Sequence, residues 1–308
     1  MTEPAVEAQG VRLTYGLTVA LDGVDLRVPR GSILGVLGHN GAGKTSLIRV
    51  LTTSLRPDRG RVAVDGVDVV AHPARARRNI GVTGQYAGLD DFLTTVENLQ
   101  LMARLSGLRR DTPARVTTLV ERFDLQAVAD RRVGELSGGY RRRVDLAAGV
   151  VASPKVLFLD EPSTGLDPGA RQDVWEVVAE LTAAGTTVVL TTQYLEEADR
   201  WADHLVVLSG GRVVAQGAPQ ELKRLVGGKV VRATVPLDAL DRLPLRPLTS
   251  SPSGDARTAL TFNVTDDGAV ADLIARLHAS SVDAMDLEVA SPSLDDVFFH
   301  LTQSGAAA

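Results

Sequence analysis

A chain of 308 residues is long enough for two domains, or for one large domain with an appendage. Hydrophobic residues make up 44% and charged residues 23%, and no apolar run approaches the roughly 18–20 residues that would cross a bilayer. The chain has no cysteine, which excludes disulfides, Cys-ligated zinc, iron–sulfur clusters and a thiol nucleophile. A net charge of -5 and an aromatic content of 4% argue against nucleic acid as a partner. The N-terminus lacks the apolar stretch of a secretory signal.

Short alternating or apolar runs near the beginning of the chain predict β-strands, with one early helical pattern that ends before Pro57. The strands are expected at residues 11–15, 24–28, 33–37, 61–64 and 80–83, and the helix at residues 44–55. Between residues 94 and 152 the apolar spacing becomes that of helices, after which buried strands at 156–159 and 187–190 flank a helix at 171–182. Apolar strands separated by helices predict an α/β fold with a largely parallel sheet and an inserted helical subdomain.

The last part of the chain predicts a small α+β module. A hairpin around Gly210-Gly211 and a helix at 219–226 precede the main boundary, which we place at Gly227-Gly228. The module is expected to contain strands at 229–235, 259–264 and 287–290, a Pro/Ser-rich loop at 244–255, and helices at 268–278 and 293–301. The predicted domains are therefore residues 1–226, with a helical subdomain at about 87–153, and residues 229–303.

Residues 38–45 read GHNGAGKT and match the phosphate-loop pattern G-x-x-x-x-G-K-[ST] between a predicted strand and a predicted helix. Glycines let successive backbone N–H groups point at phosphates, and the helix N-terminus adds its dipole. Lys44 is expected to reach the β- and γ-phosphates of a nucleotide, and the Thr45 hydroxyl to bind Mg²⁺. The alternative is a chance match, against which the strand–helix context argues.

Two adjacent acidic residues, Asp160 and Glu161, follow the apolar strand at 156–159. Ligands of open α/β sheets bind at the carboxyl ends of the strands. Asp160 is therefore expected to hold Mg²⁺, directly or through water, and Glu161 to polarise the attacking water. Taken alone, such a pair is also explained as a solvated loop, but the presence of a phosphate loop favours the site.

The segment LSGGY at residues 136–140 precedes a predicted helix. Ser137 suits the N-cap, and Gly138 and Gly139 expose backbone N–H groups, so the segment predicts either a second anion site or a simple capping turn. A phosphate loop, then LSGG, then an apolar strand ending in Asp-Glu, in this order, resembles the ATP-binding cassette (ABC) family over residues 6–226. This resemblance implies a P-loop NTPase core with an inserted helical subdomain, ATPase activity, and ATP and Mg²⁺ as cofactors.

In that family two cassettes pair head to tail, each ATP lying between the phosphate loop of one and the LSGG turn of the other. The chain is thus expected to form a homodimer, or to pair with a second cassette, and Ser137 would act in the partner's site. Tyr15 matches the position that stacks on adenine, although a half-buried strand tyrosine is its other explanation. Gln85 matches the loop that contacts Mg²⁺ or water and faces the membrane subunit. Residues 163–167 match the loop that couples the two sites.

The resemblance implies three sets of site residues. The catalytic set is Glu161, Gln193 and Lys44, and the metal-binding set is Thr45, Gln85 and Asp160. The nucleotide-binding set is Tyr15, Gly38, His39, Asn40, Gly41, Ala42, Gly43, Lys44, Thr45, Ser46, Gln85, Ser137, Gly138 and Gly139.

The sequence departs from the usual pattern of the family at three positions. His39 replaces a proline in the phosphate loop, where we expect tolerance because the loop donates through its backbone, and Tyr140 replaces a glutamine after LSGG. Gln193 stands where many cassettes have a histidine. A glutamine amide can hydrogen-bond a γ-phosphate oxygen but cannot accept a proton. Glu161 is therefore expected to carry most of the water activation.

Four further segments are similar to ATPases of daunorubicin/doxorubicin-resistance exporters. They are VTGQYAGLDDFLT, the arginine triplet at 141–143, LTTQYLEEAD and the C-terminal SLDDVFFHLT. The triplet alone would also suit a solvated helix face. This similarity implies antibiotic efflux with a separate ABC-2-type permease, and a peripheral position at the cytoplasmic face of the cell membrane.

Two other functions compete with drug export. A cassette ATPase acting on ribosomes or DNA usually has two cassettes, a long coiled-coil insertion or a basic tract, and none of these is evident in the sequence. An exporter of lipid, polysaccharide or peptide stays open, because the cargo pathway lies in the permease. The C-terminal module has no catalytic constellation and is expected to act as a scaffold or dimer contact rather than as a ligand sensor, with Asp295 and Asp296 at a helix start.

Overall fold

The computed structural model describes residues 3–84, 88–108, 110–245, 247–253 and 256–305. The chain divides into two compact units, Met1–Val214 and Ala215–Ala308. The boundary that the sequence predicts at residues 226–229 lies further along the chain and stays a prediction. Within the described residues no helix has both the length and the apolar character that crossing a membrane requires.

The first unit contains two sheets with helices between their strands. Its strands, the last of which runs across the division, are β1 (Val6–Tyr15), β2 (Thr18–Val28), β3 (Ile33–Leu37), β4 (Arg59–Val64), β5 (Val67–Asp68), β6 (Ile80–Thr83), β7 (Val156–Asp160), β8 (Thr187–Thr191), β9 (His204–Ser209) and β10 (Arg212–Gly217). Its helices are α1 (Lys44–Leu51), α2 (Pro73–Ala76), α3 (Thr95–Leu105), α4 (Thr112–Arg122), α5 (Gly138–Gly149), α6 (Pro168–Ala183) and α7 (Leu195–Trp201).

The larger sheet has the strand order β10-β9-β3-β8-β7-β6, and its inner pairs are parallel. Strands β3 and β8 are buried along their whole length, as expected for strands that are covered on both faces. The register places Thr191 opposite both Val36 and Asp160. The carboxyl ends of β3, β7 and β8 therefore meet at one edge, which is where ligands of such sheets bind.

The smaller sheet is antiparallel, with the order β2-β1-β4-β5. Strand β1 begins earlier than the sequence predicted, at Val6 rather than at Val11. Its register to β2 shifts between Ala8 and Val11, and Gly10 takes a positive φ of 58° there. The prediction was wrong because this irregularity interrupts the alternation of apolar residues that marks a strand in sequence.

Helices α3, α4 and α5 lie inside the segment that the spacing assigned to a helical subdomain. Leu99 and Leu119 are completely buried on the predicted apolar faces. Helix α3 starts at a capping box, in which Thr94 accepts from the Glu97 backbone N–H at 3.2 Å and its own N–H donates to the Glu97 carboxylate at 2.8 Å. Local capping and apolar spacing thus agree on where this helix begins.

The second unit is a small α+β domain. Its elements are α8 (Pro219–Arg224), β11 (Lys229–Pro236), β12 (Thr249–Pro252), β13 (Arg257–Val264), α9 (Asp267–Ala279), β14 (Met285–Ala290) and α10 (Leu294–Gly305). The antiparallel sheet has the order β12-β13-β11-β14, and Phe262 of the sheet shares a core with Leu273 and Leu277 of α9. Strand β12 falls in the segment predicted to be a loop. It is an edge strand, a position in which a sheet tolerates proline, so its Pro/Ser-rich composition did not reveal it.

Helix α10 begins where the sequence predicted a helix rich in acidic residues at its start. Asp296 is buried and accepts hydrogen bonds from the Ser293 N–H at 2.8 Å and the Ser293 hydroxyl at 2.7 Å. Arg232 of β11 donates to the same carboxylate at 3.1 Å. The carboxylate thus ties the start of this helix to the sheet, which is a structural role.

Candidate functional site

The phosphate loop connects β3 to α1, as the sequence predicted. Gly38, Gly41 and Gly43 have φ angles of 154°, 82° and 108°, which favour glycine. A Cβ atom on Gly38 would lie 2.5 Å from the Leu208 carbonyl oxygen, and one on Gly43 would lie 2.6 Å from the Ala20 carbonyl oxygen. Both positions therefore require glycine for space as well as for conformation.

Lys44 is held inside this loop. Its side chain is only 6% exposed, and Nζ donates to the carbonyl oxygens of Gly38 at 2.7 Å and of His39 at 3.2 Å. Burial lowers the pKa of Lys44, while the carboxylates of Glu161 and Asp160 act in the opposite direction. The ammonium is thus a fixed positive charge between the loop and the two acids.

His39 contacts its neighbours within the loop. Its Nδ1 lies 2.7 Å from the carbonyl oxygen of Asn40, and the His39 carbonyl accepts from the Ala42 N–H at 3.1 Å. The imidazole is therefore engaged by backbone, which agrees with the expected tolerance of a residue other than proline at this position.

The loop, the start of α1, the end of β1, the start of β2 and the end of β7 line an open cavity of about 470 Å³. Its lining residues are Tyr15, Thr18, Val19, Ala20, Asn40, Gly41, Gly43, Lys44, Thr45, Ser46, Asp160 and Glu161. Most of the residues predicted for the phosphate site therefore face one cavity, with Tyr15, which is 44% exposed, at the end that β1 supplies. Gly38, His39 and Ala42 shape the loop without lining that cavity.

Thr191, at the end of β8, holds the acid pair in place and was not predicted from the sequence. Its buried hydroxyl donates to Asp160 Oδ1 at 2.6 Å and accepts from the Glu161 backbone N–H at 3.0 Å. Glu161 has a positive φ of 50°, and Thr164 donates to its Oε2 at 3.1 Å. Only the register between β7 and β8 places this threonine beside the acids, so the linear sequence held no signal for it.

The LSGG turn lies at the start of α5, with Ser137 as the N-cap. The Ser137 hydroxyl accepts from the Tyr140 N–H at 3.5 Å, a long bond. A second cavity, of about 500 Å³, opens beside this turn. Its lining residues are Asp124, Ser137, Gly138, Gly139, Tyr140, Arg143, Gly165, Leu166, Asp167, Gly169, Ala170 and Asp173. None of these residues lines the phosphate-loop cavity.

The arginine triplet does not form a freely solvated helix face, which was one explanation of its sequence. Arg141 pairs with Asp91 at 2.6 Å. Arg142 pairs with Asp145 at 2.8 Å and donates to the Gly84 carbonyl oxygen at 3.1 Å. Burial raises the pKa of Asp145 to about 6, an effect that the charge of Arg142 opposes. The α5 helix is thereby tied to the end of β6.

Arg143 joins α5 to two other elements. It donates to Asp124, just after α4, at 3.1 Å and to Asp173 of α6 at 2.6 Å. Burial is the largest single influence on the pKa of Arg143 and lowers it, but these two carboxylates together outweigh burial and raise the pKa. The guanidinium also lies 5.9 Å from the centre of the Tyr140 ring. Arg143 therefore connects the start of α5, where the LSGG turn lies, to the segment after α4 and to α6.

Two predicted site residues, Gln85 and Gln193, are not part of the geometry described above. Gln85 is outside the described residues. Gln193 lies exposed in the bend between β8 and α7 and is not among the residues that line the phosphate-loop cavity. Its proposed contact with a γ-phosphate stays a prediction.

A phosphate loop at the end of a central parallel strand, an acid pair at a neighbouring strand end and a helical subdomain that carries LSGG define an ATP-binding cassette. A family model described as ABC transporter matches residues 21–164. The chain belongs to the ABC transporter family, and it is an ATP-binding, ATP-hydrolysing subunit of that family. The predicted fold class and enzyme class are confirmed.

Three relatives match over nearly the whole chain. The daunorubicin resistance ATP-binding protein DrrA3 of Streptomyces coeruleorubidus is 47% identical over 98% of this chain and 97% of its own. The daunorubicin/doxorubicin resistance ATP-binding protein DrrA of Streptomyces peucetius is 44% identical, over 98% and 94%. The Nod factor export ATP-binding protein I of Ralstonia nicotianae is 38% identical, over 97% and 94%.

A solved structure shows the same fold. The cbiO1 protein of Clostridium perfringens, part of an ABC transporter complex, superimposes with a TM-score of 0.67 at 27% identity. The match covers 73% of this chain and 94% of that one.

Proposed function

We propose that this chain is the ATPase subunit that powers an ABC-2-type exporter of hydrophobic drugs or natural products, acting as a head-to-tail cassette dimer. The observation that carries the dimer is the separation of the two cavities. The phosphate loop and the LSGG turn line two cavities with no residue in common, and Gly138 and Glu161 together line only a third, smaller one. This separation supports a nucleotide site that a second cassette completes. A second cassette, supplied by another copy of this chain, brings Ser137, Gly138 and Gly139 to the phosphates.

The site residues suit Mg²⁺ together with ATP. Thr45 and Asp160 line the same cavity and offer the hard oxygen donors that this ion prefers. Thr191 donates to Asp160 Oδ1 at 2.6 Å and so fixes this carboxylate at the cavity. When bound, the ion would neutralise charge between the β- and γ-phosphates.

The residues of this chain then have distinct roles. Backbone N–H groups of the phosphate loop and the Lys44 ammonium bind the phosphates, and Tyr15 stacks on adenine. Glu161 accepts a hydrogen bond from the attacking water and polarises it, while Thr164 and Thr191 fix the carboxylate and its backbone. Gln193 orients the γ-phosphate by hydrogen bonding.

The cargo is proposed from the relatives. The names of two of them refer to daunorubicin or doxorubicin resistance, and that similarity extends through the C-terminal module. A relative named for Nod factor export favours a second candidate, in which the cargo is not a drug. In both cases the chain would sit peripherally at the cytoplasmic face of the cell membrane on a separate permease.

Co-expression with an ABC-2-type permease, in a drug-sensitive bacterial host, tests this proposal. We expect lower accumulation of doxorubicin than in cells that carry the permease with the Lys44→Ala chain. Equal accumulation in the two strains, with both proteins present in the membrane fraction, would remove drugs from the proposed cargo.

Tyr15→Ala is expected to raise KM for ATP more than it lowers kcat. Stacking on adenine is made equally in the ground state and the transition state, so its loss weakens binding without slowing the chemical step. Steady-state ATP hydrolysis over a range of ATP concentrations measures both constants. The replacement Tyr15→Phe keeps the ring and serves as the control. A KM equal to that of the wild type would show that Tyr15 packs only on its strand.

Gln193→Ala is expected to slow hydrolysis about ten- to a hundredfold, the range for a hydrogen bond to a charged group. Gln193→His should stay active because it keeps a donor, and its rate should vary with pH near the imidazole pKa of about 6.5. Steady-state ATPase assays of both variants with the permease, between about pH 6 and 9, provide the comparison. Wild-type activity in Gln193→Ala would mean that the side chain does not touch the γ-phosphate.

A further inference from the structure

Glu197 of α7 is a buried carboxylate to which the site described above gives no role. The residue is 8% exposed. Its Oε2 accepts hydrogen bonds from the Ser163 hydroxyl at 2.7 Å and from the Thr192 hydroxyl at 3.3 Å. Its Oε1 lies 3.3 Å from Nε of Arg171. A buried carboxylate is costly without such partners, so their positions in the fold show what the group holds together.

The hydroxyl partners come from the two loops that follow β7 and β8. Ser163 lies two residues after Glu161, and Thr192 immediately precedes Gln193. The Thr192 hydroxyl also accepts from the Tyr194 N–H at 3.0 Å, which fixes the bend around Gln193. One carboxylate therefore connects the loop of the proposed base with the bend of the proposed γ-phosphate contact.

Arg171 extends this connection to α6. Its guanidinium carbon lies 4.1 Å from the centre of the Tyr194 ring, a cation–π contact. The same side chain pairs with Glu197. Glu197 is therefore connected directly to Thr192, the residue before Gln193, and through Arg171 to Tyr194, the residue after it.

Helix α7 is also held in place by contacts that do not involve this carboxylate. Ala198 is completely buried, and the Trp201 ring is stacked at 6.0 Å from the ring of Trp175, a buried residue of α6. Removing the charge of Glu197 should therefore loosen the two loops while the helix stays packed.

We propose that Glu197 is a positioning residue for ATP hydrolysis. It holds the Ser163 loop and the Gln193 bend in a fixed position relative to each other. The orientation of Glu161 toward the attacking water depends on the relative position of these two loops. The inference rests on the proposed function, because it assumes that Glu161 and Gln193 act on the γ-phosphate. ATP binding is not expected to depend on the relative position of the loops, since neither Ser163 nor Thr192 lines the phosphate-loop cavity.

Glu197→Gln in the full chain tests the inference. We expect kcat to fall about ten- to a hundredfold, the range for hydrogen bonds to a charged group, with an unchanged Kd for a fluorescent ATP analogue. The adjacent and exposed Glu196→Gln is the matched control and should behave as the wild type. Because breaking a buried ion pair lowers stability, Tm is measured and rates are taken well below it. A wild-type kcat, or a kcat and an affinity that fall together, would overturn the proposal.

Ser163→Ala removes one hydroxyl and supplies a second variant that leaves the ion pair intact. If the carboxylate acts through this loop, the double variant should have the same kcat as the slower single variant. Multiplying effects in the double variant would show that the two groups act separately and would contradict the proposal. Measuring Glu161→Gln in the same series distinguishes a failure of the role proposed for Glu161 from a failure of the role proposed for Glu197. If that variant hydrolyses ATP normally, the proposed role of Glu161 fails; if it is inactive while Glu197→Gln is normal, only the role of Glu197 fails.

Discussion

Glu161→Gln is expected to bind ATP and to hydrolyse it about 10²–10⁴-fold more slowly than the wild type, the usual contribution of a general base. The amide keeps the shape of the side chain and can still accept from the Thr164 hydroxyl, which lies 3.1 Å from Oε2. What it loses is the negative charge that polarises water. Because hydrolysis is the step that ends the closed state, the variant should accumulate as an ATP-bound dimer.

Size-exclusion chromatography with ATP measures this dimer, and a steady-state assay measures the loss of turnover. Glu180→Gln, an exposed change on α6, is the control for the removal of one negative charge. A Glu161→Gln chain that stays monomeric and turns over ATP normally would exclude both the general-base role and the dimer that traps the nucleotide.

The place of the phosphate loop between β3 and α1, and its need for glycine, could be predicted from the sequence because they are local properties. Each glycine that the motif requires has a positive φ or a close backbone neighbour in the structure, and Lys44 lies between the loop and the acids. The N-cap role of Ser137 was also confirmed, since capping is decided within one helical turn.

The residues that the sequence did not reveal act across strands. Thr191 fixes Asp160 and Glu161, and Glu197 reaches Ser163, only because the loops after β7 and β8 are neighbours in the sheet. A threonine at a strand end and a glutamate in a helix are common, and nothing in their own surroundings in the sequence marks them. Such long-range partners become visible only when the register of a sheet is known.

The arginine triplet shows the same limit for charged residues. Consecutive positions on a helix point in different directions, so each arginine reaches a different part of the helical subdomain and the sheet edge. Arg141 pairs with Asp91 and Arg143 with Asp173 of α6, whereas Arg142 pairs with Asp145 of its own helix and donates to the Gly84 carbonyl oxygen. The sequence could show a run of positive charge, but apart from Asp145 the carboxylates that pair with these arginines are distant in the chain.

Lys44→Ala is expected to abolish ATP hydrolysis and to weaken nucleotide binding strongly. The ammonium is fixed within the loop by the Gly38 and His39 carbonyl oxygens, so it needs no rearrangement to meet the β- and γ-phosphates. Removing one fixed donor of this kind from a site where charge develops lowers kcat by about 10²–10³. Here the binding of the ground state also depends on it, which adds to the loss.

Thermal unfolding with and without ATP separates this effect from a damaged fold. The wild type should gain Tm with ATP, since a ligand that binds only the folded state stabilises it. Lys44→Ala should show little such gain, while its Tm without nucleotide stays close to that of the wild type, because burial disfavours the charged ammonium that the change removes. The exposed Lys155→Ala is the matched control and should respond to ATP normally. Turnover at the wild-type rate in Lys44→Ala would contradict the assignment of this loop as the phosphate site.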